Sequence, residues 1–137
     1  MVVYTQGCNR ECSYCHNKEL ITLDLPGHQY VTDAQLFEEI EFNIDYIDAV
    51  VFSGGEPTIH DDLATYMKHV KRRGLLVGLH TNGDNITEEV AEMCDYILLS
   101  HSTEQKKALC ERAKGVYRSR VVMLPDGTYE NKLTRIK

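Results

Sequence analysis

The sequence predicts an α/β protein in which parallel strands are joined by helices, either as an incomplete (β/α) barrel or as an open sheet. Three observations carry this reading. Short β-rich runs alternate with helical patterns, and such alternation gives parallel strands with right-handed crossovers. The chain has 137 residues, whereas a closed eight-unit barrel needs ~200 or more. The strand ends are followed by polar turns, as in folds that gather ligands at the carboxyl ends of their strands.

The elements follow in order. Val2 to Gln6 reads as a strand. Thr32 or Asp33 caps a helix from about Ala34 to Asn43, with Leu36, Phe37 and Ile40 on one face. Ala49 to Ser53 is an apolar run of the fully buried kind. Asp61 and Asp62 suit the first turn of a helix whose inner stripe is Leu63, Tyr66, Met67 and Val70. Lys71, Arg72 and Arg73 suit its negative end, and Gly74 stops it. Leu75 to His80 is the next strand. Thr87, followed by Glu88 and Glu89, opens a short helix ending near Met93. Tyr96 to Leu99 reads as a strand, Thr103 to Lys114 as a helix and Arg120 to Leu124 as a strand. The last dozen residues are turn-rich.

Fifteen basic against twenty-one acidic residues leave a net charge of −6, which disfavours nucleic acid and anionic lipid as partners. Apolar residues at 42% and charged ones at 26% are ordinary for a globular domain, so disorder and coiled coil are excluded. No apolar run approaches the ~20 residues of a membrane helix. The beginning of the sequence has no signal-peptide pattern, so a cytoplasmic, reducing location is expected. Five cysteines in that setting point to thiolate chemistry or core packing rather than to disulfides. Cys94 and Cys110 fall in or beside helices and read as small apolar core residues.

The other three cysteines form the first chemical motif. Gly7-Cys8-Asn9-Arg10-Glu11-Cys12-Ser13-Tyr14-Cys15-His16 spaces them C-x3-C-x2-C, just past the first strand. Three thiolates at this spacing can wrap one soft metal centre. Structural zinc wants four ligands, and His16, directly after Cys15, is poorly placed to be the fourth. A redox pair of Cys12 and Cys15 would leave Cys8 without a role. A [4Fe–4S] cluster suits best, because clusters normally take four thiolates and three leave one iron open.

The second motif, Ser53-Gly54-Gly55-Glu56-Pro57-Thr58, ends the second strand. Its glycines let backbone approach a ligand closely, and the Glu56 carboxylate could meet an ammonium group. A plain turn stiffened by Pro57 would look the same.

Taken together, the two motifs resemble the radical S-adenosylmethionine (SAM) superfamily, whose signature is C-x3-C-x-Φ-C with an aromatic Φ, here Tyr14. The resemblance covers Val2 to about Ser102, and more loosely to Pro125. Within the superfamily, Cys15-His16-Asn17, Ser53 to Thr58 and Thr81-Asn82-Gly83 look like the activating enzymes of glycyl-radical enzymes. The short length is most similar to the activases of anaerobic ribonucleotide reductase. His80 stands where many larger activases carry Asp, and Ser100-His101-Ser102 where they carry Asp-x-Lys.

This resemblance implies one radical SAM domain over residues 1–137, an incomplete (β/α) barrel of about five to six parallel βα units open on one side. Cys8, Cys12 and Cys15 would hold a [4Fe–4S] cluster. Tyr14 would lie near the adenine, and Gly54, Gly55 and Glu56 would hold the methionine end of SAM. Thr81, Asn82 and Ser100 would make ribose or carboxylate contacts. His80 and His101 have no catalytic role in this reading, and no catalytic residue is expected beyond the cluster and SAM site. Reductive cleavage of SAM would give a 5′-deoxyadenosyl radical that takes hydrogen from a glycine of a protein partner, here anaerobic ribonucleotide reductase. A flavodoxin or ferredoxin would be the reductant. The alternatives are a small-molecule radical SAM enzyme resembling 7-carboxy-7-deazaguanine synthase and a non-enzymatic, metal-stabilised interaction module.

Overall fold

The structure, a computed structural model, describes residues 1–8, 31–100 and 104–137. Six strands form one sheet in chain order: β1 (Val2–Thr5), β2 (Ala49–Gly54), β3 (Leu76–Thr81), β4 (Tyr96–Leu99), β5 (Gly115–Met123) and β6 (Tyr129–Arg135). Neighbours from β1 to β5 pair parallel, and β5 pairs antiparallel with β6. Helices α1 (Asp33–Phe42), α2 (Leu63–Arg72), α3 (Glu88–Met93) and α4 (Glu104–Cys110) connect the parallel strands. None of the described helices is long and apolar enough to cross a membrane.

Local chemistry starts the helices where expected. The Thr32 hydroxyl accepts from the Gln35 amide while the Gln35 side chain accepts from the Thr32 amide, a reciprocal cap for α1. Thr87 caps α3 by accepting from the Val90 amide. Strand alternation then sorts the side chains. Val50, Phe52, Val77, Leu79, Ile97, Leu99 and Val116 face the helices and pack with Ile40, Leu63, Met67, Val70, Val90 and Ala91. Burying each large apolar side chain contributes about 1.5–3 kcal/mol. Cys94 and Cys110 lie in this core.

The other face of the sheet carries Ser53, His80 and Tyr96, and its edge strand β1 shows an exposed Tyr4. Gly78 has its missing side chain on this face. A Cβ there would sit 2.3 Å from Cε1 of Tyr96, so the glycine makes the seat on which the Tyr96 ring lies.

Asp95, just before β4, pins the starting ends of the strands. Its carboxylate accepts from the Val77 amide at 2.8 Å and pairs with Lys71 at 3.3 Å and Lys114 at 3.0 Å.

The last third departs from the sequence reading. The helix expected to run to Lys114 ends at Cys110, and the strand expected from Arg120 begins at Gly115. Parallel pairing of Tyr96 with Gly115 through Leu99 with Arg118 draws these residues into the sheet. The turn-rich tail contains a full strand, β6, and its antiparallel direction leaves five parallel strands. The turn at Asp126-Gly127 reverses the chain: Asp126 accepts from the Thr128 amide at 2.9 Å, and Gly127 takes φ +87°.

Candidate functional site

The carboxyl ends of β1 to β4 converge, and four of their loops are tied to one another. Gly54 makes the first tie possible. Its φ is +110°, and a Cβ would fall 2.4 Å from the Thr5 nitrogen and 2.5 Å from the Thr5 oxygen. Only glycine tolerates both this conformation and this approach. The amide of Gly55 then donates to the Thr5 carbonyl at 3.0 Å, and the amide of Glu56 to the Gly7 carbonyl at 2.7 Å. His60 Nε2 lies 2.7 Å from the Gln6 carbonyl.

A trans peptide sets each carbonyl opposite the following N–H. The Gly54 and Gly55 carbonyls therefore point away from β1, because the next amides point toward it.

Glu56 makes the second tie. The residue is 1% exposed, and its carboxylate is engaged by protein donors. Oε2 accepts from the Thr58 amide at 3.1 Å, from the Thr58 hydroxyl, and from the Thr81 hydroxyl at 2.7 Å. Oε1 accepts from the Asn82 amide at 2.7 Å. The sequence reading sent this carboxylate toward an ammonium ligand; in the structure it bridges the β2 and β3 exits. Charge-assisted bonds of this kind are the stronger class.

The β3 exit is folded on itself. The Thr81 hydroxyl also accepts from the Gly83 amide at 3.0 Å, and Asn82 Oδ1 accepts from the Asp84 amide at 3.0 Å. Both residues are buried. Ser100 closes the row at the β4 exit, its amide donating to the Thr81 carbonyl at 3.0 Å. The structure thus brings Gly54, Gly55, Glu56, Thr81, Asn82 and Ser100 together. Cys8 is half-buried at the β1 exit beside them. Cys12, Tyr14, Cys15 and His101 lie outside the described residues.

On the sheet face beneath, His80 connects three strands. Its Nδ1 is 3.3 Å from the Ser53 hydroxyl and its Nε2 is 3.1 Å from the Tyr96 hydroxyl. Burial pushes the imidazole below its usual pKa, so the ring is neutral near pH 7. A neutral ring donates from one nitrogen and accepts at the other, which suits two hydroxyl partners.

The sequence reading left Thr58 and His60 without roles. Thr58 stood only as the last residue of the Ser53–Thr58 motif, although its contact is local, two residues from Glu56; His60 carries no signal because it acts on an atom 54 positions away.

The donor set fits an iron–sulfur cluster. Three thiolates within eight residues are soft ligands, and the described one stands next to the glycine-rich loop. This sheet, its carboxyl-end site and the C-x3-C-x2-C motif that begins at Cys8 define the class. Residues 2–102 match the radical SAM superfamily, and the chain belongs to it. Members of this superfamily use a [4Fe–4S] cluster and S-adenosylmethionine.

Among its relatives is a protein of Methanocaldococcus jannaschii named for glycyl-radical enzyme activation. It is 33% identical over 103 residues, 72% of this chain and 41% of that one. The pyruvate formate-lyase-activating enzyme of Clostridium pasteurianum is 32% identical over 105 residues, 72% of this chain and 43% of its own. The pyruvate formate-lyase 1-activating enzyme of Escherichia coli is 30% identical over 108 residues, with the same two shares of 72% and 43%. The chain spans less than half the length of these relatives.

Proposed function

We propose that this chain, as a single radical SAM domain over residues 1–137 built on an incomplete (β/α) barrel, belongs to an activase of a glycyl-radical enzyme. The observation that carries the reading is the bridging of the β2 and β3 exits by Glu56 beside Cys8. It joins the glycine-rich loop, the Thr81–Asn82 turn and the first cluster cysteine in one rigid surface. The named relatives support the same class.

In this reading Cys8, Cys12 and Cys15 hold the cluster. When bound, cluster and SAM together supply reductive cleavage to methionine and a 5′-deoxyadenosyl radical able to take hydrogen from a glycine of a protein partner. The carbonyls of Gly54 and Gly55, turned away from β1, accept from the methionine ammonium. Glu56 holds those carbonyls in place through its bonds to Thr58, Thr81 and Asn82. Tyr14 covers the adenine, while Asn82 and Ser100 orient the ribose or carboxylate. The neutral His80 ring supports the floor of the site without exchanging a proton. The partner class is a glycyl-radical enzyme, with anaerobic ribonucleotide reductase the specific choice, and the reductant is a flavodoxin or ferredoxin.

The test is anaerobic reconstitution with iron and sulfide, followed by assay for 5′-deoxyadenosine after adding SAM and a reductant. Iron, sulfide and nucleoside product are expected. Addition of anaerobic ribonucleotide reductase should give a glycyl radical by electron paramagnetic resonance. A radical only with pyruvate formate-lyase would reassign the partner. One zinc per chain and no product would leave an interaction module instead.

A further inference from the structure

We propose that His60 is a positioning residue for Cys8: its imidazole fixes the chain at Gln6, as it enters Cys8. The assignment of Cys8 to a cluster rests on the function proposed above; the positional claim rests on the geometry of β1.

Three consecutive carbonyls precede Cys8, and each is taken by the segment 55–60. The Thr5 carbonyl accepts from the Gly55 amide, Gln6 from His60 Nε2 and Gly7 from the Glu56 amide. Two of these donors are main chain and survive any substitution that keeps the fold. His60 is the one side chain among the three. It is therefore the only member of the set that a single replacement removes.

His60 is itself fixed by backbone bonds on both sides. Its amide donates to the Pro57 carbonyl at 3.2 Å, and its carbonyl accepts from the Leu63 amide at 3.2 Å, at the start of α2. The ring thus reaches from a rigid corner to a residue 54 positions earlier. Because a carbonyl only accepts, Nε2 carries the hydrogen. Gln6 is buried, at 8% exposure, so water does not replace this donor freely. Loss of the donor removes a 2.7 Å contact from the buried Gln6 residue and loosens the hold on the peptide between Gln6 and Gly7. Cys8 moves with it.

The first test uses the metal-free chain, so it is independent of the cluster. Trypsin cuts after Arg10, which separates Cys8 from Cys12 and Cys15 for mass spectrometry. His60→Ala and His60→Leu should raise the rate of Cys8 alkylation by a maleimide by roughly fivefold, the change in local opening expected for one lost hydrogen bond. His60→Gln carries an amide N–H at a similar reach and should return the rate toward wild type. Equal rates in all four proteins, or an unrescued rise in a folded Gln variant, would overturn the proposal.

A second measurement needs no variant. Nitrogen-15 spectra of histidine-labelled protein should show His60 with its proton on Nε2, and a neutral ring protonated only on Nδ1 would overturn the contact. Reconstitution then extends the result. His60→Ala should hold less iron and sulfide than wild type and show an altered reduced-cluster signal, with His60→Gln restored. If wild type takes up no cluster at all, the proposed function fails, while alkylation and tautomer still decide the role of His60.

Discussion

The Thr81 hydroxyl lies 2.7 Å from Oε2 of Glu56, and this contact locks the end of β3 to the loop after β2. The two residues are 25 positions apart and both are buried. The geometry makes Glu56 a structural bridge between the β2 and β3 exits.

Replacing Glu56 by Gln tests the bridge. The Thr58 and Thr81 hydroxyls can turn, but the Thr58 and Asn82 amides cannot, and they face different oxygens. An amide side chain has one oxygen, so one main-chain donor would meet an NH₂ group. Glu56→Gln should cost about 1–3 kcal/mol in urea unfolding. An unchanged midpoint would show that the bridge contributes nothing.

Gly54 is expected to be intolerant of any side chain. Its Cβ would collide with Thr5 backbone, and its φ of +110° is strained for other residues. Gly54→Ala should lose about 3 kcal/mol or more, the sum of strain and overpacking. Thermal unfolding of the metal-free chain measures it. Gly74→Ala, with φ +76° and open space around it, should lose only about 1 kcal/mol. Similar losses at both sites would contradict the close approach to β1.

Stability should fall in acid through Asp95. Burial alone would raise this carboxyl, but the Val77 amide, Lys114 and Lys71 outweigh it and hold the group below the usual range. A depressed carboxylate stabilises above its unfolded pKa, about 4, and that contribution is lost as pH falls through the lower folded value. Asp95→Asn should lower stability by about 1 kcal/mol at pH 7 and flatten the decline below pH ~4. Parallel acid profiles for the two proteins would remove Asp95 from the account.

His80 should produce a second pH dependence at higher pH. Burial lowers its imidazole, so the unfolded chain takes up the proton first. The stabilisation is full above the unfolded pKa, about 6.5, and is lost as pH falls toward the lower folded value. Wild type should therefore lose more stability than His80→Gln between pH ~7.5 and ~5.5. Denaturant midpoints across that range measure the difference, and a steeper loss in the variant would reverse the sign.

The parts read most clearly from sequence are those written in local periodicity. The apolar run 49–53 and the caps Thr32 and Thr87 form as expected, as does the stripe Leu63-Tyr66-Met67-Val70, in which Tyr66 is only partly buried because its hydroxyl turns out to Asp33 and Asp62. So does the gathering of Gly54 to Glu56, Thr81, Asn82 and Ser100, because parallel strands end on one side. What sequence does not disclose depends on register. Gly115 to Ser119 come soon after a helical stretch, and pairing with β4 on one side and β6 on the other makes them strand. β6 has no buried position, so no alternation marks it. The direction of the Glu56 carboxylate and the reach of His60 depend on partners many residues away.

The templating of the β1 exit by residues 55–60 also has a temporal side. During synthesis the residues that lead into Cys8 leave the ribosome before the groups that will hold their carbonyls are made. His60 follows Gln6 by 54 positions. Until that much more polypeptide has emerged, the end of the first strand has nothing to hold its carbonyls, so the path into Cys8 is set only after the second strand has docked.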